Sequence, residues 1–491
     1  MSAIVAISRL ATGVPGLDEV LGGGLPEFSF NLIAGLPGSG KTTLSNQIMF
    51  SLASEQRKAL YFTVLGEPPL KMLRYQQQFS FFDSDAVNDS VRFINLSEEA
   101  AGGDLSKVLD RIVEEVEAVG PGLVFVDSFR SVDMASSANG SPVTALQQFV
   151  QQLGILMTSW QATTFLLGEY FDETDANPVF TVADGLIWLR QSVERNSMVR
   201  KLEIMKMRGQ ATLPGLHAFR IGQNGLRVFA PKAAAHVRTP PVVAPDARLS
   251  VGVAAIDEML GGGLPRGFSL LVAGPSGSGK SVLGASFLAA GAAIGETGVI
   301  AAFERNPALG VNRALAEQVA AGTLAVIDTA APDLSMDEVL MSLTAEIRRL
   351  RATRVVLDSL TGFELALAPT FRTDFRESLL QLVAALIGEG VTVLMTCELE
   401  DRYTDLRFSP YGNAFMTDAI IVQRYIEVES RLRRMLAVVK VRGSAHSDAL
   451  REFTIDENGI QIGEVLSGQE GLLGGRPTRV AQTTAHDETV R

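Results

Sequence analysis

Residues 9–43 read RLATGVPGLDEVLGGGLPEFSFNLIAGLPGSGKTT, and residues 248–282 read RLSVGVAAIDEMLGGGLPRGFSLLVAGPSGSGKSV. The second stretch aligns with the first without a gap, at an offset of 239 residues. Later segments repeat as well: DGLIWLR…LEIMKMRG over 184–209 is matched by DAIIVQR…LAVVKVRG over 418–443. The chain is therefore a duplicated domain, and its period is far too long for a solenoid repeat.

The domain boundaries follow from this duplication. A chain of 491 residues exceeds what one hydrophobic core usually supports, which agrees with two domains. The Ala- and Pro-rich stretch between the repeats is typical of a semi-rigid linker, and the Gly-rich polar end is typical of a disordered tail. We expect a first domain over 1–231, a linker over 232–247, a second domain over 248–465 and a tail over 466–491.

Short apolar runs alternate with longer helical patterns in both repeats. Uniformly apolar strands that alternate with helices indicate a mainly parallel sheet covered by helices on both faces. The expected fold class is α/β, in two tandem domains. The predicted central strands are SFNLIAG (29–35), RKALYFTVL (57–65), GLVFVDS (122–128) and ATTFLLGE (162–169) in the first repeat, and SLLVAG (269–274), TGVIAAF (297–303), RVVLDS (354–359) and VTVLMTC (391–397) in the second.

Each repeat carries one complete G-x-x-x-x-G-K-[ST] motif between an apolar strand and a helical pattern. In this motif glycines turn backbone N–H groups toward an anion at a helix N-terminus, and the lysine reaches the outer phosphates. Two aligned copies make a chance Gly-rich turn negligible, so we expect two ATP molecules to bind. The expected contacts are Gly35, Leu36, Pro37, Gly38, Ser39, Gly40, Lys41, Thr42 and Thr43, and Gly274, Pro275, Ser276, Gly277, Ser278, Gly279, Lys280, Ser281 and Val282.

A carboxylate ends the third central strand of each repeat. Asp127 follows Leu123–Val126 and Asp358 follows Val355–Leu357. Downstream of a P-loop, such an aspartate and the motif hydroxyl are the expected holders of Mg²⁺. We therefore predict a Mg²⁺ site at Thr42 with Asp127 and another at Ser281 with Asp358, the alternative being a simple strand-end cap.

ATP hydrolysis also needs a group that orients or deprotonates the attacking water. Glu67 and Glu304 follow the second strand of their repeats and are the candidates for this role. The alternative is that each is an exposed acidic residue at a strand end.

Two cations stand two residues apart near the end of each repeat, so both point to the same face of a strand. They are Lys206 and Arg208 in the first repeat and Lys440 and Arg442 in the second. A solvated pair is one interpretation. Recurrence in both repeats favours a phosphate-facing role, as an arginine finger that a neighbouring subunit can supply in trans.

The bulk composition limits the partners. The net charge of −12 lowers the expectation of nucleic-acid binding, which draws much of its affinity from Lys and Arg. No apolar run approaches the roughly 20 residues of a membrane span, and the start MSAIVAISRLATG has no signal-peptide pattern. The single cysteine, Cys397, cannot form an internal disulfide. We expect a cytoplasmic protein without membrane or nucleic-acid partners.

With these motifs assembled, the chain resembles the KaiC-like ATPases of the RecA superfamily over essentially residues 9–463. The specific points are the LDEVLGGGLP and IDEMLGGGLP openings, both P-loops, both strand-end aspartates and the KMRG and KVRG segments. The resemblance implies that the two α/β domains are tandem RecA-like P-loop NTPase domains. It further implies a double-ringed homohexamer with ATP between subunits, and a KaiB-like or other signalling partner. It also implies that Lys206, Arg208, Lys440 and Arg442 reach the γ-phosphate of the adjacent subunit's nucleotide. The family has a histidine four residues after the arginine: His446 matches it, whereas the first repeat has Thr212.

The chain departs from the family at several positions. The family has two consecutive glutamates after the second strand, where this chain has Gly66-Glu67 and Glu304-Arg305. In clock members the phosphoacceptors are an adjacent Ser-Thr just before a Thr-Asp. Here Ala414-Phe415 stand at those positions, before Thr417-Asp418, and neither can be phosphorylated.

These observations favour a Mg²⁺-dependent ATPase that acts as an oligomeric switch or signalling protein. Three alternatives remain open at this point: a Ser/Thr autokinase with a nonstandard acceptor, a scaffold that binds ATP without hydrolysing it, and a DNA-handling RecA-like motor. Phosphopeptide mapping would identify the first and stimulation of hydrolysis by single-stranded DNA the third.

Overall fold

A computed structural model of the chain divides into two compact units, Met1–Ala233 and Ala234–Arg491. The structure describes residues 7–64, 69–101, 104–128, 143–170, 178–194, 197–230, 247–303, 313–327, 329, 334–367, 372, 375–399, 417–428, 430–466, 469–470 and 478–479. The linker expected over 232–247 lies outside these residues except for Ala247. Within the expected tail, the described residues beyond Leu466 form one two-stranded antiparallel pair.

The described residues of the first unit form eleven strands, two of which make a small separate sheet. The strands are β1 (Arg9–Leu10), β2 (Leu25–Pro26), β3 (Phe30–Gly35), β4 (Ala59–Thr63), β5 (Val91–Asn95), β6 (Leu123–Asp127), β7 (Thr163–Glu169), β8 (Gly185–Glu194), β9 (Ser197–Met207), β10 (Leu216–Gly222) and β11 (Gly225–Val228). The helices are α1 (Leu17–Leu21), α2 (Lys41–Leu52), α3 (Pro69–Gln76), α4 (Ser97–Ala101), α5 (Leu105–Val119), α6 (Val143–Ser159) and α7 (Pro178–Val182).

The second unit repeats this order. Its strands are β12 (Arg248–Leu249), β13 (Leu264–Pro265), β14 (Ser269–Gly274), β15 (Gly298–Ala302), β16 (Leu324–Ile327), β17 (Arg354–Asp358), β18 (Thr392–Glu398), β19 (Ala419–Val428), β20 (Arg431–Val441), β21 (Arg451–Asp456), β22 (Gly459–Val465), β23 (Gln469–Glu470) and β24 (Thr478–Arg479). Its helices are α8 (Ala254–Met259), α9 (Lys280–Ala293), α10 (Arg313–Ala320), α11 (Met336–Leu350), α12 (Leu360–Ala366) and α13 (Phe375–Gly388).

Each unit is built on a nine-stranded sheet of the same strand order. In the first unit the order is β11-β10-β9-β8-β3-β7-β6-β4-β5, and in the second β22-β21-β20-β19-β14-β18-β17-β15-β16. Pairing is parallel from β8 through β3 to β5 and antiparallel from β8 to β11. The predicted mainly parallel α/β fold is therefore confirmed, and all eight predicted central strands are present.

Helices cover both faces of the first sheet. On one face α1 and α2 pack against the sheet through residues such as Leu17, Leu44 and Ile48, which are fully buried. On the other face α5 and α6 contribute buried residues such as Ile112 and Leu153. This covering explains why the central strands are apolar on both sides.

The shared opening motif forms a glycine turn. Gly22, Gly23 and Gly24 have φ values of 80°, 116° and 108°, a region that residues with a Cβ rarely adopt. The matching second-unit glycines 261–263 have φ values of 80°, 104° and 106°. The motif aspartate fixes the preceding loop, since Asp18 accepts hydrogen bonds from the Thr12 amide at 2.9 Å and hydroxyl at 2.7 Å. The GGG sequence is thus a backbone requirement of the fold.

A buried ion network belongs to the second unit. Arg354 opens β17 with 1% exposure, and its Nε donates to Glu296 at 2.7 Å. Its Nη1 donates to the Phe287 carbonyl at 2.8 Å, and Arg266 also pairs with Glu296. The matched first-unit residue is the buried Leu123, so this cation is a feature of one unit.

We expect Glu296→Gln to destabilise the second unit by about 3–5 kcal/mol, because it leaves a buried arginine without its carboxylate. Burial raises the pKa of Glu296, but Arg354 and Arg266 outweigh it and the net pKa is lowered. A carboxylate whose pKa is lowered by folding stabilises the folded state at pH values above its unfolded-state pKa. This contribution is lost as the pH falls through the lowered folded-state pKa of Glu296. Denaturant unfolding from pH 7 to pH 3 should therefore show a weaker acid dependence in Glu296→Gln than in the wild type.

The control is Glu346→Gln, which removes an exposed pair with Arg349 and should change stability little. Equal losses in both variants would contradict the role given to the buried network.

The single cysteine is buried. Burial raises the pKa of the Cys397 thiol to about 12, so the thiol stays protonated.

Among the residues that the structure describes, no helix combines the length and the apolar character that a membrane crossing requires.

Candidate functional site

The P-loop of each unit joins a central strand to a helix N-terminus. In the first unit β3 ends at Gly35 and α2 begins at Lys41, with Gly40 at the N-cap and a φ of 104°. In the second unit β14 and α9 are joined in the same way, and Gly279 has the same φ. Neither N-cap provides a side-chain hydrogen bond. The first amides of both helices are thus available to an anion.

The motif lysines lie inside the loops. Lys41 is 6% exposed, and its Nζ donates to the carbonyls of Gly35 at 3.0 Å and Leu36 at 2.9 Å. Lys280 is 9% exposed and donates to Gly274 at 2.9 Å and Pro275 at 2.8 Å. Both ammonium groups are therefore held within the loop.

Burial lowers the pKa of Lys41, and the nearby carboxylates Glu169 and Asp127 act in the opposite direction. The ammonium group thus lies in a partly desolvated site, where a phosphate would add a strong partner.

The aspartate of the first unit is bonded to the P-loop hydroxyl. Thr42 Oγ1 donates to Asp127 Oδ2 at 2.9 Å, and the Tyr61 hydroxyl donates to the same oxygen at 2.8 Å. Burial, followed by the charge of Asp127, raises the pKa of Tyr61 well above its ordinary value, so the phenol stays protonated and is the donor. Burial also raises the pKa of Asp127, against the hydrogen bonds from Tyr61 and Thr42 and the charge of Lys41.

The aspartate of the second unit has a different partner. Asp358 Oδ1 accepts a hydrogen bond from Thr396 Oγ1 on β18. Within the described part of the chain, Ser281 makes no hydrogen bond to Asp358, and Ser281 is exposed. In both units the peptide bond after the aspartate is cis. The two sites share a scaffold but differ in their polar contacts.

The P-loop serines differ as well. Ser278 donates to Gln423 Oε1 at 3.2 Å, and Gln423 is fully buried. Ser39 Oγ is buried without a hydrogen-bond partner among the described residues, since Leu189 stands where the second unit has Gln423. The second P-loop is therefore tied to the neighbouring strand by a serine–glutamine hydrogen bond that the first P-loop does not form.

The donor sets fit Mg²⁺. A hydroxyl and a carboxylate are the hard oxygen ligands that Mg²⁺ takes, and it usually binds one or two such groups together with substrate phosphates. Thr42 and Asp127 already lie within 2.9 Å of each other. The described ranges contain no group of three or more His, Cys, Asp or Glu able to hold a metal.

The predicted cation pairs lie toward the opposite end of the sheet from the P-loops. Lys206 pairs with Leu186, and Leu186 pairs with Leu32, three residues before Gly35. Three strand residues span about 10 Å. The Arg208 amide donates at 2.9 Å to Asp184, which is level with the start of β3.

The side chains of this first pair also point away from their own P-loop. Lys206 Nζ donates to Phe180 and Thr181 carbonyls at 3.3 and 3.1 Å, and Arg208 pairs with Asp184 at 3.1 Å. The second unit repeats this arrangement: Lys440 donates to the Thr417 carbonyl at 2.7 Å and Arg442 pairs with Asp418 at 3.1 Å. The structure thus does not bring either pair to the P-loop of its own unit.

Burial, followed by the neighbouring arginine, lowers the pKa of Lys206 and of Lys440. The arginines remain accessible, with side chains 58% exposed for Arg208 and 57% for Arg442.

Two arginines that the sequence analysis missed lie beside the P-loops. Arg434 approaches the Gly277 carbonyl at 3.5 Å and lies over the Tyr425 ring. Arg200 pairs in register with Gln191, whose side chain donates to the P-loop carbonyl of Pro37 at 2.9 Å. The Nε atoms of both arginines are buried without a partner among the described residues. Each lies eight residues before the arginine of its KMRG or KVRG segment, a recurrence that the repeat alignment could have revealed.

The remaining predicted residues are two glutamates, the pair at the phosphoacceptor positions and one histidine. Glu67, Glu304 and the pair Ala414-Phe415 lie outside the described residues. His446 is exposed between β20 and β21, next to Ser447, whose amide donates to Met259 at 2.8 Å.

Comparison with known proteins agrees with this geometry. The family model described as "ATPase: KaiC" matches residues 10–233 and again residues 249–467. The circadian clock oscillator protein KaiC of Picosynechococcus sp. is 27% identical over 98% of this chain and 94% of its own length. The protein of the same name from Synechococcus elongatus is 27% identical over 97% and 93%. The chain therefore belongs to the KaiC ATPase family and contains two copies of its domain.

Proposed function

We propose that this protein is a cytoplasmic, Mg²⁺-dependent ATPase that works as an oligomeric switch or signalling protein. The observation that carries the proposal is the pair of P-loops, each with a buried lysine at a helix N-terminus that has no side-chain cap. That combination of amides and a fixed cation suits the β- and γ-phosphates of ATP.

The chemistry would be in-line attack of water on the γ-phosphate. Lys41 and Lys280 hold the outer phosphates and the helix amides hold the inner ones. Thr42 with Asp127, and Ser281 with Asp358, would hold Mg²⁺, and the ion would supply positive charge to offset the phosphate charge. Arg200 and Arg434 supply a further cation at the side of each loop.

Glu67 and Glu304 are the proposed groups that orient and deprotonate the attacking water. The proposal rests on their place after the second central strand of each repeat.

The cation pairs supply the argument for self-association. Lys206 and Lys440 are each level with a residue of the central strand that lies about 10 Å before the P-loop of their own unit. Their side chains donate to carbonyls at that end of the sheet and not to the P-loop. A phosphate-facing role for these cations therefore cannot involve the P-loop of their own unit, and the family resemblance assigns them to the nucleotide of a neighbouring subunit. We infer a closed homo-oligomer, a hexamer by family resemblance, with ATP at the subunit interfaces.

Partners beyond self-association follow from the family and from charge. A KaiB-like or other signalling protein is the proposed partner, whereas a net charge of −12 disfavours nucleic acid. Autophosphorylation at the usual positions is ruled out by Ala414-Phe415, so the kinase alternative requires another hydroxyl.

The test is ATP turnover of the purified full chain with Mg²⁺. Removing a general base typically costs 10²- to 10⁴-fold, so we expect turnover of Glu67→Gln/Glu304→Gln to fall by roughly that factor. The two single variants will show which unit contributes most of the rate. Phosphoserine and phosphothreonine are followed in the same tubes by mass spectrometry, and none is expected.

Glu114→Gln on α5, with a side chain 68% exposed, is the matched control and should turn over ATP at the wild-type rate. Unchanged turnover in the double variant would show that other residues activate water. If the wild-type protein binds ATP but does not hydrolyse it, the protein is instead a nucleotide-gated scaffold.

A further inference from the structure

The two aspartates of the proposed Mg²⁺ sites receive their hydroxyl bonds from opposite neighbours in the sheet. Tyr61 lies on β4, and Thr396 lies on β18. At the position matching Tyr61 the second unit has Ile300, which pairs with Val356, two residues before Asp358. At the position matching Thr396 the first unit has Leu167, which pairs with Asp127. The hydroxyl that bonds the aspartate in one unit is therefore replaced by an apolar side chain in the other.

Tyr61 is held rigidly by an aromatic row. Phe93, Tyr61, Phe125 and Phe165 are in register across β5, β4, β6 and β7. The Tyr61 and Phe125 rings stack at 5.7 Å and 14°, and the Phe125 and Phe165 rings at 4.7 Å and 6°. Tyr61 has no exposed surface. In the second unit the equivalent row is Val326, Ile300, Val356 and Leu394.

This row directs the phenol at the site. Tyr61 pairs with Phe125, so Asp127 lies two residues further along β6 on the same face. The hydroxyl of Tyr61 donates to Oδ2 at 2.8 Å, the same oxygen that accepts from Thr42, and lies 3.3 Å from Ser45 Oγ. Among the described residues Oδ1 of Asp127 accepts no hydrogen bond. One carboxylate oxygen is thus fixed by two donors, and the other remains available to a cation or its water.

We propose that Tyr61 is a positioning residue for the metal of the first site, and that Thr396 does the same for the second site from the opposite strand. Both fix the carboxylate that would face Mg²⁺. This inference rests on the proposed function, and it assigns the two sites separate determinants of metal affinity. A substitution at Tyr61 would then change the Mg²⁺ requirement of one site and leave the other unchanged.

The experiment measures ATP binding as a function of Mg²⁺ in the full chain, with one site disabled at a time. In a Lys280→Ala background only the first site binds, and in a Lys41→Ala background only the second. Removing a hydrogen-bond partner of a metal ligand typically costs 10- to 100-fold in metal affinity. Tyr61→Phe keeps the ring and should raise the Mg²⁺ concentration for half-maximal ATP binding at the first site by about that factor. Affinity for ATP in EDTA should not change.

Thr396→Val is the matched variant and should have this effect only in the Lys41→Ala background, with Thr396→Ser restoring the wild-type midpoint. An unchanged Mg²⁺ midpoint in Tyr61→Phe would overturn the inference. So would an equal loss of ATP affinity with Mg²⁺ and with EDTA, which indicates a merely structural role. Failure to bind ATP in either background, with the wild type also unable to bind, would instead overturn the proposed function.

Discussion

Co-assembly of two inactive variants is expected to restore ATP turnover. One subunit type carries Lys41→Ala and Lys280→Ala, so its P-loops are disabled while its cation pairs are intact. The other carries Arg208→Ala and Arg442→Ala, so its P-loops are intact while its fingers are lost. Loss of an arginine finger costs roughly 10³- to 10⁵-fold, so neither type alone should hydrolyse ATP measurably.

The recovery follows from where the arginines lie. Arg208 and Arg442 are level with the start of the central strand in their unit, and the P-loop lies beyond its other end. They therefore lie away from the nucleotide site of their own unit, and the proposed role places them at the nucleotide of a neighbouring subunit. In equal co-expression roughly a quarter of the interfaces combine an intact P-loop with an intact finger, because the two types must meet in one order. Turnover of doubly tagged, co-purified assemblies should approach that fraction of the wild-type rate.

Arg111→Ala is a suitable control, since Arg111 is 40% exposed and, among the described residues, forms its ion pairs with three glutamates of the first unit. Its co-expression with the P-loop variant should give activity in proportion to the intact P-loops. Co-purified assemblies of the two inactive types that stay inactive would show that the fingers do not act in trans.

The sequence predicts the parts of the fold that depend on backbone and burial. Apolar runs gave the central strands, and the GGG glycines together with Gly38, Gly40, Gly277 and Gly279 of the P-loops have positive φ values that residues with a Cβ rarely adopt. The edge strands β5 and β16 were not predicted. In β5 the buried Val91 is followed by the exposed Arg92, so this strand does not show the continuous apolar pattern of a central strand. β16 is apolar throughout, but its four residues are too few to distinguish a strand from a buried helix segment by pattern alone.

Within the candidate site, the sequence predicts residue type better than residue contact. Tyr61 and Thr396 lie in ordinary apolar strands, and only the register with Asp127 and Asp358 reveals that a hydroxyl meets each carboxylate. The cation pairs were found because they recur, but their distance from their own P-loops needed the strand pairing. Such contacts depend on which strands are neighbours in the sheet, and the apolar pattern of each repeat does not specify the strand order.

Replacing the P-loop lysines should abolish ATP binding one site at a time. The wild type is expected to bind two ATP molecules per chain, Lys41→Ala and Lys280→Ala one each, and the double variant none at micromolar ATP. Lys41 is 6% exposed and Lys280 9%, so each meets the phosphates in a largely dehydrated site. Truncating one partner of a buried charge pair costs about 2–5 kcal/mol, or roughly 30- to 5,000-fold in affinity.

Equilibrium dialysis with labelled ATP counts the bound nucleotides directly, and it does so without depending on which residue activates water. The loss should be local, because each ammonium group donates to carbonyls of its own loop. Lys107→Ala on α5, an exposed lysine, should keep both sites. If Lys41→Ala still bound two ATP molecules with wild-type affinity, the amides at the start of α2 would suffice for the phosphates. Hydrolysis at the first site would then depend on the arginine finger of the neighbouring subunit and on the metal site, and not on Lys41.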